Sequence, residues 1–177
     1  MMELTETDWE LIHNYYDLRA EDFYLVINKR ANFEEIKDLL FSTRYRENTM
    51  RDFDALIWHF PHSMNDAELE NLYQIFIKEK WHQTHDVFVD RFQQKFNTNV
   101  KNIKILVDLI HDLPDFYKID EDIQYPLIKK CMYAIAAMPK PESTIALEKL
   151  SDSEDETIKE YALHQLERQK KLKGDNL

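Results

Sequence analysis

One glycine, Gly174, and one cysteine, Cys131, are all that the 177 residues contain of either type. Glycine takes positive φ without steric cost, so tight hairpins, dinucleotide-binding turns and phosphate-cradling loops all consume it. A single glycine leaves none of these available. A single cysteine excludes an internal disulfide and a thiolate metal cage. Set in Ile128-x-x-Cys131-x-x-Ala134-Ile135, it reads as an inert core thiol. The few prolines (Pro61, Pro114, Pro126, Pro139, Pro141) fall at or near the ends of periodic segments, where helices start or stop. No apolar run is long enough to span a bilayer, and the acidic stretch Met1 to Trp9 lacks the apolar segment of a signal peptide. The expected location is cytoplasmic. Basic charge is the other shortage: 23 Lys and Arg stand against 34 Asp and Glu, a formal charge of −11. That argues against a general nucleic-acid binder, whose affinity rests on neutralising phosphates, and against an anionic membrane surface. It suits a soluble protein that meets a basic partner by electrostatic steering.

What is present is helical periodicity, and the fold class is all-α. Thr5 or Thr7 caps a first helix through Leu18, with Trp9, Ile12 and Tyr16 inward, and Ala20 to Lys29 forms a second. Asn32 caps a third over Phe33 to Phe41. Thr49 to Phe60 is a fourth, stopped by Pro61. Asn65 to Lys80, Asp86 to Phe96, a segment from Asn99 towards Pro114, and Tyr125 to Met138 follow at helical spacing. Trp81 to Thr84 turns the chain, and Asp112 to Asp122 is its longest polar connection. In the last pair, Ile145, Leu147 and Leu150 share a flank, and Ile158, Tyr161, Ala162 and Leu166 form an apolar stripe. Ser153 with Glu156 reads as a capping box between them.

The last pair carries a resemblance. Leu147-x-x-Leu150-x-Asp152, then Asp155-x-x-Ile158-Lys159-x-x-Ala162-x-x-x-Leu166, is similar to the HEAT-type helical repeat. The match is close over roughly 30 residues and holds only in outline before them. It implies an irregular α-solenoid of antiparallel helix pairs, about 9 to 10 helices in all, with a protein-binding surface. Residues 65–96, 99–138 and 141–169 each read as helix, turn, helix, and their second helices centre near Phe88, Cys131 and Ala162. The expected organisation is one domain over residues 1–170. Within it, 1–62 forms irregular N-terminal helices and 65–170 forms HEAT-like pairs, and 171–177 is a frayed tail. An ordinary helical bundle is the competing architecture.

Catalytic chemistry finds little support. Glu10…His13 and Glu79…His82, with His85 beyond, match the Glu-x-x-His spacing of di-iron carboxylate sites, but those sites need long aligned helices. His82 and His85 with Glu79 or Asp86 have the residue types of a zinc site, though a surface pair is the simpler reading. His59 and His62 flank a helix stop, where they meet terminal carbonyls. No serine sits in a glycine-flanked elbow, and Cys131 has no neighbouring base. No metal, cofactor or catalytic residue is therefore expected.

The acidic connections carry more. Asp108, Asp112, Asp115, Asp120, Glu121 and Asp122 stand against Lys118 alone, with Phe116 and Tyr117 among them. Asp152, Glu154, Asp155 and Glu156 follow in the last turn. Aromatic anchors within a field of one sign suit a basic protein partner. In size, charge and lack of catalytic residues the chain resembles the immunity proteins of bacterial toxin systems. That resemblance implies a non-catalytic inhibitor covering a basic, nuclease-type toxin. A generic HEAT-like scaffold and a metal-dependent helical enzyme are the alternatives.

Overall fold

The computed structural model describes residues 4–14, 32–59 and 64–174. They belong to two compact units, Met1–Ile75 and Phe76–Leu177. Among the described residues all regular structure is helical and no strand occurs. No helix there is long and apolar enough to cross a membrane.

The first unit contains α1 (Glu6–Asn14), α2 (Phe33–Ser42), a 3₁₀ turn (Thr43–Tyr45), α3 (Thr49–His59) and nearly all of α4 (Asp66–Phe76). The helix expected over residues 20–29, the end of the first helix, and the roles of Pro61, His59 and His62 lie outside what is described. Asn32 caps α2 as expected. Its side-chain oxygen accepts from Glu35 N at 3.0 Å, and the Glu35 carboxylate accepts from Asn32 N at 3.2 Å. Asn65 and Glu68 repeat the device at α4, with the same two distances. Trp9, Ile12, Ile36, Leu40, Phe53 and Leu56 form the core.

That core holds a charge. Asp52, beside Phe53 on α3, is 1% exposed. Arg46 Nε donates to its Oδ2, and His13 Nε2 lies 2.8 Å from Oδ1 without forming a hydrogen bond. The Arg46 guanidinium also lies 4.2 Å over the Trp9 ring. A buried carboxylate is tolerable only when matched, and removing its main partner leaves the desolvation cost in place. The substitution Arg46→Met should therefore destabilise this unit by about 3 kcal/mol in urea unfolding. Adding Asp52→Asn should return part of the loss, because the two residues form one network.

In the second unit lie α5 (His85–Gln94), α6 (Lys101–His111), a 3₁₀ turn (Asp115–Lys118), α7 (Glu121–Ala136), α8 (Glu142–Leu150) and α9 (Glu156–Gly174). Helix α7 is central and packs against α5, α6, α8 and α9; α8 also meets α6 and α9. Phe88, Phe92, Leu106, Ile128, Ile135 and Leu147 are fully buried around it. Cys131 is buried among them, and burial pushes its thiol above the ordinary range, consistent with an inert core residue.

Several boundaries differ from expectation. Helix α7 begins at Glu121, not Tyr125, because Asp120 caps it by accepting from Asp122 N at 2.9 Å. Pro126 consequently lies inside the helix. The connection expected over 112–122 is thus largely ordered. Asp155, not Ser153, caps α9: its Oδ1 accepts from Thr157 N at 2.9 Å and Ile158 N at 3.1 Å. The Glu156 carboxylate contacts Lys159, and the Ser153 hydroxyl accepts from Asp155 N at 3.2 Å. Helix α9 runs on to Gly174, past the start expected for the tail. Leu147 and Leu150 are buried as expected, whereas Ile145 is exposed.

Candidate protein-binding edge

The segment leading into α5 is held by its histidines. Helix α4 ends at Phe76, short of the expected Lys80, and the Phe76 carbonyl accepts from Glu79 N at 3.0 Å and from His82 Nε2 at 2.8 Å. His82 Nδ1 accepts from Thr84 N at 3.2 Å, which fixes the tautomer: Nε2 carries the proton. His85 Nε2 donates to the Glu79 carbonyl at 2.9 Å. The two rings stack at 4.4 Å, and both are essentially excluded from solvent. The expectation of a surface histidine pair is therefore wrong. These imidazoles replace the hydrogen bonds that a terminated helix leaves open. Glu79 turns its carboxylate to Trp81 Nε1 at 3.0 Å, not to either imidazole. The other spaced pair is also divided: Glu10 is exposed while His13 faces Asp52. Among the described residues, no three of His, Cys, Asp and Glu gather as metal ligands.

Burial, with the field of His85, lowers the His82 pKa to about 3. Burial lowers that of His85 to about 4, against the opposing effects of its bond to Glu79 and the charge of Asp86. Both rings are neutral at pH 7.

Tyr117 locks the acidic segment onto this base. Its hydroxyl donates to the Gln83 carbonyl at 2.5 Å, and its ring meets His85 edge-on at 5.6 Å. At 5% exposure it is an internal anchor and not a surface one. Phe116 packs edge-on against it at 5.2 Å and is half-buried. The short 3₁₀ turn then presents a residue that periodicity did not single out: Ile119, 79% exposed, with Ile123 also exposed one turn into α7. Around them Asp115, Asp120, Glu121 and Asp122 are exposed.

The acids are not equivalent. Asp108 is neutralised by Lys104 at 2.6 Å. Asp112 is paired with Lys80, whose bond and charge hold its carboxyl below the ordinary range. Asp115 meets Lys118 at 3.1 Å, and Glu156 meets Lys159 at 3.2 Å. Among the described residues, Asp120, Glu121, Asp122, Asp152 and Glu154 have no cation within ion-pair distance. The two acidic segments are brought together by Tyr125, whose hydroxyl donates to Asp155 Oδ2 at 3.2 Å. Burial and that carboxylate hold the phenol above its ordinary range. Unpaired carboxylates thus converge where α7 and α9 begin, and Asp108 and Asp112 lie back along α6.

Compared with protein-family models, with curated proteins and with solved structures, the chain matches none. The edge therefore has to be read from its own chemistry. Ile119 could have been noticed in the sequence as the one apolar residue between Lys118 and the acids Asp120 to Asp122. No periodic pattern marks it.

The buried imidazoles make a prediction. In the unfolded chain both protonate near pH 6.5, whereas folded they resist protonation down to about 4 and 3. Their contribution is fully present above pH 6.5 and is lost as pH falls through that window. The slope is up to about 1.4 kcal/mol per pH unit for each histidine. Urea unfolding measured from pH 7.5 to 4.5 should show this decline, and the His82→Gln/His85→Gln variant should show a much flatter profile.

Proposed function

We propose that this chain is a non-catalytic protein-binding module of the immunity kind, which neutralises a basic, nuclease-type toxin by covering its cationic surface. The observation that carries the reading is Ile119, exposed beside Asp120, Glu121 and Asp122, which among the described residues have no cation within ion-pair distance. An exposed aliphatic residue supplies contact energy, and a surrounding field of one sign supplies rate and specificity. Phe116 and Ile123 flank it, and Asp152, Glu154 and Asp155 extend the field. In this reading Asp108, Asp112, Asp115 and Glu156 contribute little, because their lysines already answer them.

The architecture that fits is an irregular solenoid of helix pairs. The neighbour order supports it: α7 lies against both α5 and α9, the second helices of the adjoining pairs, while α6 meets α8. Under this arrangement the starts of second helices gather along one edge, which is where the unpaired acids are. Such an edge is compatible with a cytoplasmic inhibitor, and equally with a scaffold presenting the same surface to a basic subunit.

The test captures binding proteins from the native host on the immobilised chain and measures association of the purified partner. Asp120 is left intact because it caps α7. Glu121→Lys, Asp122→Lys and Asp152→Lys together should slow association by about 100-fold at low salt and leave the thermal midpoint within a few degrees. Ile119→Ala should weaken affinity by about tenfold or more, chiefly through faster dissociation. A stoichiometric partner whose binding ignores both variants and added salt would refute the assignment of this edge.

A further inference from the structure

A second site, independent of the acidic edge, lies between α5, α7 and α9. Gln93, Tyr133, Ala136, Ala137, Gln165, Arg168 and Gln169 line a recess of about 200 Å³. Its floor is open because Ala136 and Ala137 offer only methyl groups at the end of α7. Its walls are amides, a phenol and one guanidinium. In a chain of net charge −11, this lining contains one cation and no carboxylate.

The role of Arg168 decides how the recess is read. An arginine beside a helix C-terminus commonly satisfies the last carbonyls. Here those carbonyls already have donors. Ala137 N serves Tyr133 O at 3.1 Å and Ala134 O at 3.2 Å, and Met138 N serves Ile135 O at 3.0 Å. Gln169 Nε2 donates to Ala136 O at 3.3 Å, while its own oxygen accepts from the Thr144 hydroxyl at 2.8 Å. Arg168 instead lies over the Tyr133 ring at 5.1 Å, with one long bond from Nη1 to Gln165 Oε1 at 3.4 Å. Most of its five donors remain for a ligand. The acids of α5, Asp86 and Asp90, are engaged by Lys130 at 3.4 and 2.9 Å. Gln165, which accepts the bond from Arg168 Nη1, is nearly fully buried.

The geometry points to a carboxylate-binding recess. Arg168 receives the two oxygens in its planar fork, its face held by Tyr133, with the Gln93 amide and Tyr133 hydroxyl as further donors. The ligand is a carboxylate from one of two sources: a polypeptide, through its C-terminus or an acidic side chain, or a free small acid. Arginine suits this task where lysine does not, because a flat bidentate donor matches a flat bidentate acceptor.

The test uses the ¹⁵N-labelled full chain and follows the Arg168 Nε–H and Gln165 side-chain amide signals. Three probes are titrated to millimolar concentration: glutarate, an acetylated alanine tripeptide with a free carboxyl terminus, and the same tripeptide amidated. Saturable shifts with a carboxylate probe and none with the amidated peptide are expected. Arg168→Gln should weaken binding by about tenfold or more with an unchanged thermal midpoint, and Arg168→Lys should weaken it several-fold despite its charge. Binding of the free-acid tripeptide alone identifies a polypeptide source, and comparable binding of glutarate identifies a small acid. No saturable shift with either carboxylate, equal shifts with the amidated peptide, or an Arg168→Gln variant that binds as well would overturn the proposal.

Discussion

Two neutral imidazoles, stacked in the interior of the second unit, support everything built at its acidic edge. Helix α4 stops at Phe76, and the chain must reach α5 without leaving its carbonyls bare. His82 and His85 supply donors to Phe76 and Glu79, and Thr84 supplies one back to His82. The resulting turn presents the Gln83 carbonyl to Tyr117. Tyr117 in turn fixes the 3₁₀ segment from which Phe116, Ile119 and the acids of α7 project. A buried polar network of this kind is stabilising only when its members are satisfied, and it specifies one arrangement of the segment it holds. His85 Nδ1 is its single unsatisfied atom.

The charge of the chain acquires meaning only after this sorting. A count of acids treats Asp108 and Asp122 alike, yet one is paired with Lys104 and the other, among the described residues, has no cation within ion-pair distance. The unpaired carboxylates lie in the first turns of α7 and α9 or just before them, where they also favour the helix macrodipoles. Local stability and long-range attraction therefore act in the same direction. The same reasoning isolates Arg168, a cation held by an aromatic face and an amide in a lining without carboxylates.

Much of the fold is legible in the sequence because helix periodicity and capping are local. Asn32 with Glu35, and Asn65 with Glu68, are capping boxes that need only four consecutive residues to form. The boundaries that moved were decided by a competitor a few residues away. Asp155 displaced Ser153 as a cap, and the Asp120 cap moved the start of α7 back from Tyr125 to Glu121. The candidate edge was legible in its charge and not in its anchors. Tyr117 looks like a surface aromatic until its hydroxyl is seen to reach back 34 residues. The histidine pair looks solvated until the two carbonyls it serves are known. Contacts at such separations are set by tertiary packing, which spacing alone does not encode.

As proposed, the edge formed by residues 115–123 and 152–156 meets a basic protein. Hydrogen exchange on the complex of this chain with its captured partner, compared with the free chain, tests it most directly. Added protection is expected over those two segments, fading as salt rises, with the amides of α6 and α8 unchanged. Protection confined to other helices, with residues 115–123 exchanging as in the free chain, would contradict it.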